Sequence, residues 1–444
     1  MQEHHKPIGP LHGVPVSLKD LFKVKGIDST IGYASLAFKK AKTNSPLVDI
    51  LLQAGAVLYC KTNIPQTMMA LDSHNNIFGR VLNPLNIKLT AGGSSGGEGA
   101  LIAMRGSVLG VGTDVGGSIR VPAMCNGLFG IKPSAGRVPY SDLEGGVPAG
   151  SSKISLQSCA GPIANTLRDC ELFLRTVAEA QPWDFDAEVI FGNWRSQGSL
   201  VKKEEVVVGI VRRDGIVEPL PPVQNVLNDT VQALRDEGIH VVEMDITPLF
   251  SKCQSLTNSL FSAEGYNAIF DILDETGEPL SPWLQGRLRR KPSISLHQLR
   301  DLHGRREELR MEFVKIWKDS TGRQIDVFIC PVAPHPVPPI DRWNGVSYTS
   351  SFVFLDFPAG VIPVRSVRKA DLSVERLSPN VLGSWDKRNR ELWTGFDRDV
   401  YMNSPLCVQV VAPRLQERRL LEAMTMIDEI LSKQGLREKL SPRL

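Results

Sequence analysis

Two glycine- and serine-rich stretches constrain this chain more than any other feature. Gly92-Gly93-Ser94-Ser95-Gly96-Gly97-Glu98 and Gly112-Thr113-Asp114-Val115-Gly116-Gly117-Ser118-Ile119-Arg120 place two serines 118 − 94 = 24 residues apart. The interval between them has room for one short helix, Glu98 to Arg105, and one buried strand, Val108 to Val111. One glycine-rich loop thus precedes the helix and the other follows the strand. Similar alternation recurs along the chain. Ser45 to Leu52 reads as a helix closed by Gly55, followed by the apolar run Ala56 to Cys60. Val206 to Val211 reads as a strand, Pro222 to Glu237 as an amphipathic helix ending at Gly238, and His240 to Val242 as the next strand. The pattern predicts an α/β fold with a large, mixed, mostly parallel central sheet covered by helices on both faces.

The chain has 444 residues, 42% of them hydrophobic, enough for a substantial core without disulfide or metal staples. Two stretches break the alternation: Gln181 to Glu205, and the five-proline segment Pro331 to Val346, which reads as stiff and extended. Regular alternation on both sides of each favours one domain over residues 1–444, and no internal repeat is evident. A formal net charge of +3 lacks the footprint of a nucleic-acid binder. The local basic run Arg287, Arg289, Arg290 and Lys291 reads as a solvated face. Seven scattered cysteines without a C-x-x-C pair point to reduced thiols in a cytoplasmic setting. The histidines, among them His4, His5 and His335, show no metal-ligand spacing, so neither a metal nor another cofactor is expected. A polar start from Met1 to Pro10 and the lack of any apolar run of about 18 residues argue against a signal peptide and a membrane anchor. The terminal Pro442-Arg443-Leu444 reads as a frayed tail rather than a targeting tripeptide.

The loops carry the chemistry. A serine hydroxyl is inert until a base takes its proton, and no histidine neighbours either serine motif in sequence. Lysine is the alternative base, provided it is uncharged. With an ordinary pKa of about 10.4, keeping a lysine neutral at pH 7 costs roughly 4.6 kcal/mol. Burial must supply that shift. Val14, Val16 and Leu18 alternate with Pro15, Ser17 and Lys19, a period of two that sets Lys19 on one face of a strand with an apolar interior at hand. Around Ser118, glycines let successive backbone N–H groups aim at one point, which makes Val115, Gly116, Gly117 and Ser118 the expected oxyanion hole. Asp114 and Arg120 flank those glycines and read as loop-fixing residues, as does Ser95 beside Ser94. Two other readings of the loops are weak. Gly92 to Gly96 fits G-x-S-x-G but lacks a preceding strand, and Gly110 to Gly116 has the wrong spacing for a dinucleotide loop.

Together, Val16-Ser17-Leu18-Lys19-Asp20 and the two loops resemble the amidase signature family. The likeness continues through Gly9-Pro10-Leu11-His12-Gly13-Val14-Pro15, Lys61-Thr62-Asn63-Ile64-Pro65-Gln66, Gly130-Ile131-Lys132-Pro133, Gly161-Pro162-Ile163 and Leu355-Asp356-Phe357-Pro358-Ala359-Gly360-Val361. Its flavour is that of fungal acetamidase-type enzymes, with more distant kinship to fatty acid amide hydrolase. The resemblance implies an amidase-signature fold and hydrolysis of a small-molecule amide to a carboxylate and ammonia or amine. Ser118 would be the nucleophile that forms an acyl-enzyme, Ser94 the relay across a cis Gly93–Ser94 peptide, and Lys19 the base. It also implies an acyl pocket at Met68 and Met69, extended by Phe352 and Phe354, unless these four simply fill core. Homodimers are a family-level expectation. Two alternatives remain beside the free-standing hydrolase: a glutaminase-type subunit of a transamidation complex, and an inactive remnant. The second arises because family members carry helices ahead of the Gly-Pro-Leu-His-Gly segment, whereas here eight residues precede Gly9.

Overall fold

Period-two alternation at the start of the chain produces β1 (Pro15–Lys19), with Val16 and Leu18 buried on one face and Ser17 and Lys19 on the other. In the computed structural model, which describes residues 6–146, 150, 154–196, 205–373, 377–395 and 397–438, β1 is followed by eleven further strands. These are β2 (Val57–Thr62), β3 (His74–Asn75), β4 (Gly79–Arg80), β5 (Leu109–Asp114), β6 (Phe129–Lys132), β7 (Cys159–Ala164), β8 (Val207–Ile210), β9 (His240–Glu243), β10 (Val327–Pro331), β11 (Ala359–Ser366) and β12 (Pro405–Val411). Among the described residues, β3 and β4 form a small hairpin and the other ten build one sheet in the order β2-β1-β5-β7-β6-β11-β12-β10-β8-β9.

The large mixed sheet expected from the alternation is present, and its parallel character belongs to its two wings. Pairing is parallel across β2-β1-β5 and across β10-β8-β9, and antiparallel through the middle from β5 to β10. Helices cover both faces. On β6, Gly130 abuts Ala123 of the helix Arg120–Asn126, while its neighbour Ile131 points the other way, beside Gly360 of β11. Gly360 in turn packs on Met424 of the helix Glu417–Lys433. The helix Pro46–Gln53 ends where Gly55 takes a φ of 87°, and the helix Pro221–Asp236 where Gly238 takes 77°, conformations that glycine adopts without a Cβ penalty.

Parallel pairing sets the position of the cleft. Leu18 lies opposite Val111, so Lys19 ends β1 beside the last residues of β5, where the chain opens into the Ser118 loop. The Ser94 loop arrives at the same point because it leads into the helix Gly96–Ala103, which packs on β5 and β1. Gly97 has backbone of Asn63 against its Cα hydrogen, and a side chain there would push the helix off the sheet. Loops at the carboxyl ends of parallel strands are where α/β folds usually hold ligands.

For Phe352 and Phe354 the core alternative holds, and the pocket role is corrected. Phe352 and Phe354 do not extend a pocket. Both are fully buried on the helix Ser347–Phe354. Phe352 packs against Phe250 and Phe328, and the Phe354 ring lies beneath the Arg306 guanidinium. The helical repeat sends Val346 and Ser350 to the cleft instead. The irregular stretch after Gln181 includes short 3-10 turns at Pro182–Asp184 and Trp194–Ser196. Its remainder at 197–204, the polar start through His5, and Pro442-Arg443-Leu444 lie outside the described residues.

A core role for Phe352 makes a measurable claim. Phe352→Ala is expected to cost about 3–5 kcal/mol of stability and to lower the thermal midpoint in calorimetry. Met69→Ala, at a partly exposed position on the cleft wall, is expected to cost much less. Equal midpoints for the two variants would return Phe352 to the cleft wall.

Candidate active site

Lys19 has no solvent exposure, and its Nζ lies 2.7 Å from Ser94 Oγ and 2.8 Å from Thr113 Oγ1. Removing an ammonium from water penalises its charged form, and burial is the largest influence on this residue. It brings the Lys19 pKa down to about 7, against the opposing attraction of Asp114 and Glu98. About half of such amines are neutral at pH 7. A neutral amine has two protons and one lone pair. With one proton engaged by Thr113, the lone pair can face Ser94.

Ser94 is buried at the turn preceding the helix Gly96–Ala103, and the Gly93–Ser94 peptide is cis. Its neighbour Ser95 acts as the loop support expected of it. The Ser95 hydroxyl accepts from Thr113 N–H at 3.3 Å and lies 3.4 Å from Thr113 O, while Ser95 N–H donates to the Ser118 carbonyl at 3.2 Å. The two loops are thus tied through their backbones. The Ser118 hydroxyl has no hydrogen bond of its own among the described contacts and borders a cleft of about 490 Å³. None of the hydrogen bonds described for Ser94 or Ser118 involves a histidine. His335 is buried, with Nδ1 facing the Pro336 carbonyl and Nε2 accepting from Gly345 N–H, and burial lowers its pKa to about 4.

Asp114 and Arg120 shape the second loop. Their side chains form a fully buried ion pair, with Arg120 Nη2 2.9 Å from Asp114 Oδ1 and Nε 3.0 Å from Oδ2. Arg120 also donates to Gln409 Oε1 and to the Thr349 carbonyl, which joins the loop to β12 and to the helix Ser347–Phe354. The Asp114 carboxylate accepts from Gly117 N–H at 2.7 Å and from Ile119 N–H at 3.2 Å. This corrects the expected oxyanion hole. The Gly117 amide is spent on Asp114 and Gly117 is absent from the cleft wall, whereas Val115, Gly116 and Ser118 line it. The φ of 127° at Gly117 is one that a residue with a side chain rarely adopts, and a Cβ there would strike Thr349.

Sequence reasoning missed Glu98. This carboxylate has no exposure and accepts from Ser17 Oγ at 2.5 Å and from Thr62 Oγ1 at 2.6 Å. A Cβ on Gly110 would collide with it, so that glycine reserves its space. Burial pushes the Glu98 pKa up to about 7, with the two hydroxyls and Lys19 pulling the other way. The only signal in the sequence is a glutamate following six glycines and serines at a helix start, and that position reads as ordinary N-terminal charge. Met68 and Met69, by contrast, line the cleft with Ser118. Among the described residues no group of His, Cys, Asp or Glu is arranged to hold a metal ion, and all seven cysteines are free.

Comparison with known proteins supplies an independent reading. A family model described as Amidase matches residues 1–421. An acetamidase from Aspergillus oryzae is 34% identical over 441 residues, 97% of this chain and 79% of that protein. Amidase 1 from Gibberella moniliformis is 36% identical over 439 residues, 97% of this chain and 82% of the relative. Among solved structures, a fatty acid amide hydrolase superposes with a TM-score of 0.86 at 30% identity, over 97% of this chain and 75% of that one. A bacterial aryl acylamidase, at 19% identity and a TM-score of 0.71 over 98% of this chain and 87% of its own, shares the fold.

The electrostatics around Lys19 can be read through Ser118. If Lys19 must be neutral to draw a proton from the serine pair, labelling of Ser118 by a fluorophosphonate should accelerate about tenfold per pH unit below about 7 and level off above it. A negative Glu98 raises the Lys19 pKa, so Glu98→Gln should move this rise to lower pH. A rise unmoved by Glu98→Gln would mean that Glu98 carries no charge where Lys19 titrates.

Proposed function

This chain belongs to the amidase family, and on that premise we propose that it cleaves small carboxylic amides through a Ser118-Ser94-Lys19 triad and an acyl-enzyme on Ser118. It is an amide hydrolase. The observation that carries the finer reading is the buried Lys19 amine, 2.7 Å from Ser94 and beside the loop that bears Ser118.

The steps follow from the groups present. Ser118 Oγ attacks the amide carbonyl carbon and a C–O bond forms. The serine proton passes to Ser94 Oγ as the Ser94 proton passes to Lys19 Nζ, leaving lysine as an ammonium. The carbonyl oxygen becomes an oxyanion, and the amides of Val115, Gly116 and Ser118 are the donors available on the cleft wall. Collapse breaks the C–N bond, and the departing nitrogen takes a proton back along Lys19 and Ser94. Water then enters by the same relay, attacks the ester and releases the carboxylate. Each half-reaction returns Lys19 to the neutral form, which is why a pKa near the working pH suits it. Met68 and Met69 flank the position of the acyl chain in this reading. The free cysteines, and the absence among the described residues of any helix long and apolar enough to cross a membrane, support a reducing, cytoplasmic setting.

Ammonia release from short aliphatic, aryl and long-chain primary amides tests this reading on purified protein with no partner added. Activity lowered about 10³-fold or more by Ser118→Ala and by Lys19→Ala, with the double variant no worse than either single one, is the expected result. Equal background from wild type and Ser118→Ala would favour the inactive remnant. Activity only beside a transamidation partner would favour the ammonia-supplying subunit.

A further inference from the structure

The basic run that reads as a solvated face in the sequence is split by the fold. Arg290 turns outward into ion pairs with Asp271 and Asp274 at 2.7 and 2.8 Å. Arg287 and Lys291 instead border the same cleft as Ser118, and Arg388 of the helix Ser384–Thr394 joins them from a distant part of the chain. Arg287 is held in place by stacking. Its guanidinium carbon lies 3.6 Å from the centre of the Trp283 ring, and Lys291 Nζ lies 5.9 Å from the centre of Tyr266.

Among the described residues no carboxylate lies within ion-pair distance of Arg287, Lys291 or Arg388, and no Asp or Glu borders the cleft. Asp341 is near enough to be felt by Arg287, but it pairs with Arg80 at 2.6 Å. Partial burial and then the like charge of Arg388 bring the Arg287 guanidinium down to about 10. Asp341, already paired with Arg80, offsets the repulsion between the two guanidiniums only in part, and an anion between them removes the rest. The same cleft wall carries the apolar side chains of Met68, Leu71, Leu288 and Val346 beside the polar Gln254, Asn258, Asn344 and Ser350. The cleft thus holds a nucleophile, a lining with apolar side chains, and a pair of planar cations suited to clamp a carboxylate.

We propose that Arg287 and Arg388 select amides that carry a carboxylate at the end remote from the scissile bond, separated from it by an aliphatic spacer. This rests on the hydrolase reading of Ser118 and names the substrate class for that site. The clamp recognises the carboxylate whether it sits on the acyl or the amine side, so matched pairs test both. On the acyl side the pair is hexanamide and adipic acid monoamide. On the amine side it is N-acetylhexylamine and N-acetyl-6-aminohexanoate.

In at least one pair the wild type should turn over the anionic member with a kcat/KM about tenfold higher, mostly through KM. The preference should shrink as salt rises from low to near molar concentration. In Arg287→Gln/Arg388→Gln it should fall to near parity. Parity within both pairs in the wild type, or a preference that survives in the double variant, overturns the proposal. Calorimetric binding of the same amides to Ser118→Ala reads the clamp without turnover. If nothing is hydrolysed but the anionic member binds more tightly to Ser118→Ala, the hydrolase reading fails while the clamp stands. Equal binding there removes the clamp.

Discussion

Lys19 ends its strand where water cannot reach it, and the geometry of the cleft follows from that desolvation. An ordinary lysine would be almost wholly charged at neutral pH and would hold no lone pair for Ser94. Burial removes most of the difference, bringing the amine to about 7. The strand pattern makes this possible cheaply. Val16 and Leu18 occupy the opposite face, and Ser17, Thr62 and Thr113 supply hydroxyls on the lysine side, so the amine is dry but not surrounded by hydrocarbon alone.

Two buried carboxylates then divide the electrostatic work. Asp114 is committed to Arg120 and holds its proton less tightly than an ordinary aspartate, because the guanidinium outweighs its own burial. Its fixed charge aims the Ser118 loop by capping Gly117 and Ile119. Glu98 is different, held by two neutral hydroxyls and pushed up to about 7. Lys19 pulls its proton affinity back down, and Glu98 in turn raises that of Lys19. The site keeps one permanent anion for shape and one titratable carboxyl for tuning.

Much of this was legible in the sequence, and the rest was lost for identifiable reasons. The glycine-rich loops, the serine spacing and the alternation around Lys19 are local, and local pattern suffices to find them. Asp114 and Arg120 were legible as loop-fixing residues because they flank the turn they fix. Glu98 was not, since its partners Ser17 and Thr62 come from other strands and only packing brings them together. Phe352 and Phe354 stayed between pocket and core because composition cannot say which way a helix rolls. The Gly117 amide was misassigned because a competing acceptor three residues back is visible only once the turn has formed. The basic run illustrates the same limit: neighbours in sequence face a cleft or solvent according to a loop whose path the charge pattern does not encode.

The central claim is the charge state of one amine, and it can be measured directly. In protein carrying 13C-labelled lysine, the Lys19 resonance is assigned by its absence from Lys19→Arg and followed with pH. The account predicts titration near pH 7, well below the roughly 10.4 of an unperturbed lysine. Titration of Lys19 at the roughly 10.4 of an unperturbed lysine would contradict it, because an amine charged throughout the neutral range cannot take the proton of Ser94.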